Sequence, residues 1–146
     1  MAEKLKLDRV GVVGLGLLGS DIVALVLSRG LEVVAVDVNA AARDALPQRV
    51  SAALSELIEH AGFDEGDFAG WEDRLKIEDS FDGLVDCDFV IESVFEDVQI
   101  KQKVFASIEE GVSETTPIAS NTSALPISTM QQSLKHPARL LGMHFG

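Results

Sequence analysis

Tyrosine is absent from the 146 residues, which excludes an active centre built on a Tyr-x-x-x-Lys pair. Cysteine occurs once, as Cys87, so no internal disulfide forms, and a reducing, cytoplasmic setting is the expectation. Its place just before an apolar run reads it as a buried structural thiol rather than a nucleophile. One cysteine and three histidines make a poor ligand set for structural zinc, and no metal is expected. Cations are scarce: 12 Lys and Arg stand against 24 Asp and Glu, a net charge of −12. That balance argues against nucleic acid and anionic membrane surfaces as partners. Any anionic ligand must therefore be held by local backbone dipoles rather than by the overall field. No apolar run approaches the roughly 20 residues of a membrane span. The opening Met1-Ala2-Glu3-Lys4-Leu5-Lys6 lacks the apolar core of a secretory signal. A Gly-x-x-x-x-Gly-Lys-Ser/Thr phosphate loop is missing too, so a P-loop nucleotidase is excluded.

What is present begins with Gly14-Leu15-Gly16-Leu17-Leu18-Gly19. It follows the apolar run Val10-Gly11-Val12-Val13 and precedes a helical pattern. Asp37 comes 18 residues after Gly19, at the end of a second run, Val33-Val34-Ala35-Val36. A dinucleotide-binding βαβ unit requires this order. Gly14 turns the chain out of the strand, Gly16 lets a pyrophosphate approach the backbone, and Gly19 lets helix and sheet pack closely. Leu17 and Leu18 open the helix, where N–H groups without intrahelical partners face the phosphates. Asp37 accepts hydrogen bonds from the adenosine ribose. Its charge repels a 2′-phosphate, and Val38-Asn39-Ala40 supplies no cation. Arg43, the nearest base, falls about one turn into the next helix, so NAD is expected over NADP.

With 47% apolar and 25% charged residues, the chain reads as one globular dinucleotide-binding domain over 1–146. Strands are expected at 9–14, 32–37, 75–78, 88–93, 117–120 and 139–144, from their apolar runs. Helices are expected at 17–28, 40–60, 97–112 and 125–134, with a helical turn at 81–85. Pro47 suits only a first turn or a break in the second of these. The acidic, glycine-punctuated stretch 62–71 reads as loop or short helix. Alternating strands and helices predict an α/β fold, a doubly wound parallel sheet of the Rossmann type.

Ligands bind such sheets at the carboxyl ends of the strands. The polar residues there are Asp37, the segment Glu92 to Glu96, Asn121-Thr122-Ser123 and His144. His144 suits proton transfer near neutral pH, because an imidazole titrates near 6.5; the alternative is a satisfied core histidine. Ser123 could hold a substrate oxygen, although a serine before a helix is more often an N-cap. His60 and His136 read as solvated surface.

Four segments resemble the amino-terminal domain of 3-hydroxyacyl-CoA dehydrogenases. They are the glycine-rich turn; Val90-Ile91-Glu92-Ser93-Val94-Phe95-Glu96 running on to Lys101, Val104 and Phe105; Ser120-Asn121-Thr122-Ser123; and Gly142-Met143-His144-Phe145. The resemblance implies that Gly14, Gly16, Gly19 and Asp37 hold the adenosine diphosphate half of NAD. It implies that Ser93, Glu96 and Lys101 line the nicotinamide half, with Asn121 in support. Lys101 read alone is equally a solvated helix lysine, and Glu96 a helix-terminal acid favoured by the dipole. Ser123 would bond the substrate 3-oxygen, and His144 would be the general acid/base acting on a 3-hydroxyacyl-CoA, the implied small-molecule substrate. Members of the family usually continue past His-Phe to an orienting carboxylate and a helical domain for substrate and dimerisation. That domain is expected to be absent from this chain, which implies a homodimer or docking with a separate helical domain. Two alternatives stay open. One is a dehydrogenase for another small hydroxy compound, including the 3-hydroxyisobutyrate and 6-phosphogluconate types, whose catalytic lysine lies in a second domain. The other is a non-catalytic NAD-sensing module.

Overall fold

The computed structural model describes residues 7–122 and 125–143. Six strands form one parallel sheet: β1 Arg9–Val13, β2 Glu32–Val36, β3 Leu75–Glu78, β4 Phe89–Glu92, β5 Ile118–Ser120 and β6 Leu140–Gly142. Their spatial order is β3-β2-β1-β4-β5-β6. The chain therefore runs outward from β1 in one direction, returns to β4, and runs outward in the other. Strand order reverses between β1 and β4, where a doubly wound sheet opens a crevice. The α/β, Rossmann-type expectation holds.

Among the described residues, five α-helices cover the two faces: α1 Leu17–Leu27, α2 Ala40–Ala61, α3 Trp71–Arg74, α4 Val98–Gly111 and α5 Ile127–Gln131. Successive strand residues point to opposite faces, so a strand covered on both sides must be apolar throughout. In β2, Val33 and Ala35 join a core with Ile22, Leu27, Leu46 and Val50. Val34 and Val36 join the other, with Phe105, Ile108 and Met130. The buried Cys87 lies in that second core. Burial pushes its thiol up to about 11, as a structural cysteine requires.

Most expected ends shift by a residue, and three features depart further. Helix α2 runs unbroken past Pro47, about two turns in. Pro47 is exposed, so the carbonyl it leaves without a partner lies on a face open to water. Helix α5 starts at Ile127, because Pro126 occupies its N-cap and holds Leu125 out of the helical region. Strand β6 starts at Leu140, after a 3-10 turn over Pro137–Arg139. The buried Arg139 is drawn out of the strand, donating to the carbonyls of Thr116 (2.9 Å) and Ser113 and pairing with Glu109 at 3.5 Å. No helix among the described residues is long and apolar enough to cross a membrane.

Candidate dinucleotide site

Strand register builds the site. Val13 lies opposite Val36 on one side and Glu92 on the other, Glu92 opposite Ser120, and Ser120 opposite Gly142. One residue further, Gly14, Asp37, Ser93, Asn121 and Met143 form a row along the carboxyl edge. A groove of about 850 Å³ opens over this row, lined by the glycine-rich turn, Asp37, Ser93, Glu96 and Asn121.

The three glycines divide the labour. Gly14 has φ +97°, and a Cβ there would lie 2.5 Å from the Ser93 carbonyl oxygen. At Gly19 a Cβ would collide with the Gly14 carbonyl oxygen. Both positions hold the turn against β4 and α1. Gly16 is different, since a Cβ there meets nothing within 4 Å. Its missing side chain leaves space in the groove rather than room for the protein. Gly16 is also the N-cap of α1 and supplies no capping side chain. The first-turn N–H groups, including those of Leu17 and Leu18, are thereby left for a ligand, with the positive end of the helix dipole behind them. Such a cradle fits a pyrophosphate.

Asp37 braces the turn as well as facing the groove. Its Oδ2 accepts from Leu15 N and its Oδ1 from Asn39 N, each at 2.9 Å. Each oxygen keeps a second lone pair for a ribose hydroxyl. Arg43 lies one turn into α2 as expected, and its Nη1 donates to the Asp37 carbonyl at 2.8 Å.

Under the other half of the groove lies a buried polar hub. Glu92 is fully buried, and its Oε2 accepts from Lys101 Nζ at 2.6 Å and Val94 N at 2.7 Å. Its Oε1 accepts from Ser120 Oγ at 2.6 Å. Lys101 is itself fully buried, which corrects the solvated reading. It sits beneath the groove, with Nζ also 3.3 Å from the Val94 carbonyl and 3.6 Å from Glu96. Asp97, not Glu96, caps α4, accepting from Ile100 N at 3.0 Å. Glu96 instead reaches the neighbouring strand end, accepting from Thr122 Oγ1 at 2.7 Å. Asn121 Nδ2 donates to Ser93 Oγ at 3.3 Å, and Asn121 N to the Glu92 carbonyl at 2.8 Å. Ser93, Glu96, Asn121 and the hub thus tie the ends of β4 and β5 together. Ser123 and His144 lie outside the described residues. Their nearest described neighbours are Thr122, whose hydroxyl accepts from Leu125 N at 3.1 Å, and Met143, whose N–H bonds the Ser120 carbonyl at 3.0 Å.

Residues 9–146 match the family described as 3-hydroxyacyl-CoA dehydrogenase, NAD binding domain. The chain belongs to this family. As its NAD-binding domain, it is 31% identical to a probable 3-hydroxyacyl-CoA dehydrogenase of Caenorhabditis elegans, over 99% of this chain and 48% of that protein. The (S)-3-hydroxybutyryl-CoA dehydrogenase of Ralstonia eutropha superposes with a TM-score of 0.88 at 35% identity, over 97% of this chain and 50% of that one. An NAD-dependent dismutase, 5-formyl-3-hydroxy-2-methylpyridine 4-carboxylic acid 5-dehydrogenase, gives 0.83 at 30% identity, over 97% and 45%. The chain spans about half the length of each of these relatives. The glycine cradle of this NAD-binding domain was legible from spacing. Glu92 as its buried hub, Thr122 as the partner of Glu96, and Arg49 in the groove wall were not. An acid closing the apolar run Phe89-Val90-Ile91 was the available signal for the hub.

Proposed function

We propose that this domain is the cofactor half of an NAD-dependent dehydrogenase acting on the 3-hydroxyl of a hydroxyacyl-CoA. The observation carrying the proposal is the single edge row, which joins the pyrophosphate cradle to the Ser93, Glu96 and Asn121 cluster above a buried ionic hub. Bound NAD supplies the hydride acceptor. Gly14, Gly16, Leu17, Leu18, Gly19 and Asp37 hold its adenosine diphosphate half. Ser93, Glu96 and Asn121 flank the nicotinamide half, and Lys101 holds that wall from beneath. Ser123 accepts the role of hydrogen-bonding the substrate 3-oxygen. His144 takes the hydroxyl proton and returns it in reverse, a contribution of about 10²–10⁴ in rate. Chain connectivity supports these two roles, since Ser123 follows the end of β5 by three residues and His144 the end of the adjacent β6 by two.

Leu17 and Phe95, 74% and 76% exposed beside the groove, support docking of a helical domain that completes the substrate pocket, in a homodimer or from a separate chain. The sole, buried cysteine supports a reducing, cytoplasmic setting. A second reading, action on another small hydroxy compound, is favoured by the likeness to the pyridine-carboxylate dehydrogenase.

Calorimetric titration with NAD, NADP and NADH tests the cofactor half, with Asp37→Ala as control. NAD binding that weakens in the variant, with NADP excluded, is the expected result. Supplying a helical domain should then give hydroxyacyl-CoA-dependent NADH formation that His144→Ala abolishes. Activity surviving in His144→Ala would reject the assigned acid/base.

A further inference from the structure

Arg49 is the one lysine or arginine among the described residues lining the groove. It is half-buried on α2, ten residues beyond the N-cap Asn39. From there its Nη1 donates to the Leu15 carbonyl at 3.2 Å. The N–H of the same Leu15 is held by Asp37. The residue just before Gly16 is therefore gripped at both ends, by an acid on its N–H and a base on its C=O. This bond uses one of the five guanidinium donors. The other charged residues among the described groove lining are Asp37 and Glu96, both repulsive to a phosphate, in a chain of net charge −12. The uncapped α1 N-terminus contributes only about half a positive charge. A pyrophosphate seated there carries more negative charge than backbone dipoles offset.

We propose that Arg49 supplies the missing counter-charge, binding the pyrophosphate of NAD from the α2 side while its Leu15 bond aims the guanidinium. The inference rests on the NAD-binding reading and assigns a residue that the glycine motif does not contain. Its position selects the pyrophosphate over a 2′-phosphate. The guanidinium is anchored on the turn itself, whereas the ribose end is occupied by Asp37, with Arg43 folded back on the Asp37 carbonyl.

The test is calorimetric titration of the wild-type chain and Arg49→Gln with NAD, ADP, adenosine and NADP, each at two salt concentrations. Arg49→Gln should weaken NAD and ADP alike, about tenfold, the loss expected of a charge-assisted hydrogen bond open to water. It should also flatten their salt dependence. Adenosine, which has no phosphate, should bind both proteins equally, and Arg49→Lys should recover part of the loss. Equal weakening of adenosine would mean that Arg49 only props the turn, and would overturn the inference. Unchanged NAD and ADP affinities in Arg49→Gln would overturn it too, as would an effect confined to NADP. If wild type binds none of the nucleotides, the NAD-binding reading falls and this inference with it. If wild type binds and the variant matches it, only the inference falls.

Discussion

Replacing Lys101 by Met tests whether the floor of the groove is ionic. Both side chains of the Lys101–Glu92 pair are fully buried, at an N–O distance of 2.6 Å. Methionine matches the lysine stem in volume, so packing is largely kept and the change isolates the charge. Glu92 would then retain Val94 N and Ser120 Oγ as donors but have no cation. Removing one partner of a buried pair typically costs about 3–5 kcal/mol, because the remaining charge is uncompensated. For a domain of this size that lowers the melting temperature by roughly 6–20 °C. Glu92→Gln should cost less, about 1–3 kcal/mol. In that variant Lys101 keeps the Val94 carbonyl at 3.3 Å and the partly exposed Glu96 at 3.6 Å, and the amide still accepts one neighbouring hydrogen bond. The asymmetry is therefore the sharper prediction. Urea unfolding followed through Trp71, the single tryptophan, measures both variants. A Lys101→Met loss under about 1 kcal/mol, or a Glu92→Gln loss as large as that of Lys101→Met, would refute the argument.

Two further outcomes follow from the same geometry. Gly16→Ala should cost little stability, about 1 kcal/mol or less, because alanine is a poorer N-cap than glycine, yet weaken NAD binding, because the new methyl enters open groove. Gly19→Ala should instead destabilise the fold by about 3 kcal/mol or more, since its methyl meets the Gly14 backbone. Thermal melts and NAD titrations of the two variants separate these roles, and an unperturbed NAD affinity in Gly16→Ala would contradict the cradle. The second outcome concerns acid. Burial, and then the nearby charge of Glu56, raise the Asp21 carboxyl above its ordinary value. The folded chain holds that proton more tightly than the unfolded chain does, so ionisation weakens the fold. The penalty is present above the folded pKa and fades as pH falls toward the ordinary carboxylate value near 3.9. Asp21→Asn should raise the melting temperature at neutral pH and lose that gain in acid. A variant that melts lower at neutral pH would show that Asp21 has a favourable partner instead.

Sequence reading succeeded where structure is dictated locally. The runs 10–13, 33–36 and 90–91 are apolar at every position, as strands covered on both faces must be, and they located β1, β2 and β4. The glycine turn was legible because the motif carries its own constraints: a positive φ at Gly14, the Gly14 backbone against Gly19, and open groove at Gly16. Boundaries failed where one distant group competes with a local preference. Arg139 leaves the β6 run for carbonyls more than twenty residues back. Partners within the site were missed as well. Lys101 shares helical spacing with Phe105 and Ile108, a pattern that already placed it on the buried face of α4. Only its charge argued for solvent, and charge decides exposure only when no partner is buried opposite. That partner is Glu92, nine residues earlier at the end of β4, which meets Lys101 once the chain folds from β4 into α4. Arg49 meets Leu15 across 34 residues, and Thr122 meets Glu96 across 26. Such pairs belong to the topology, which motif spacing does not encode. A charged residue at a core-facing position is nevertheless a usable signal. It demands an opposite charge nearby, and a single acid within an apolar strand next to the same helix is the place to look for it.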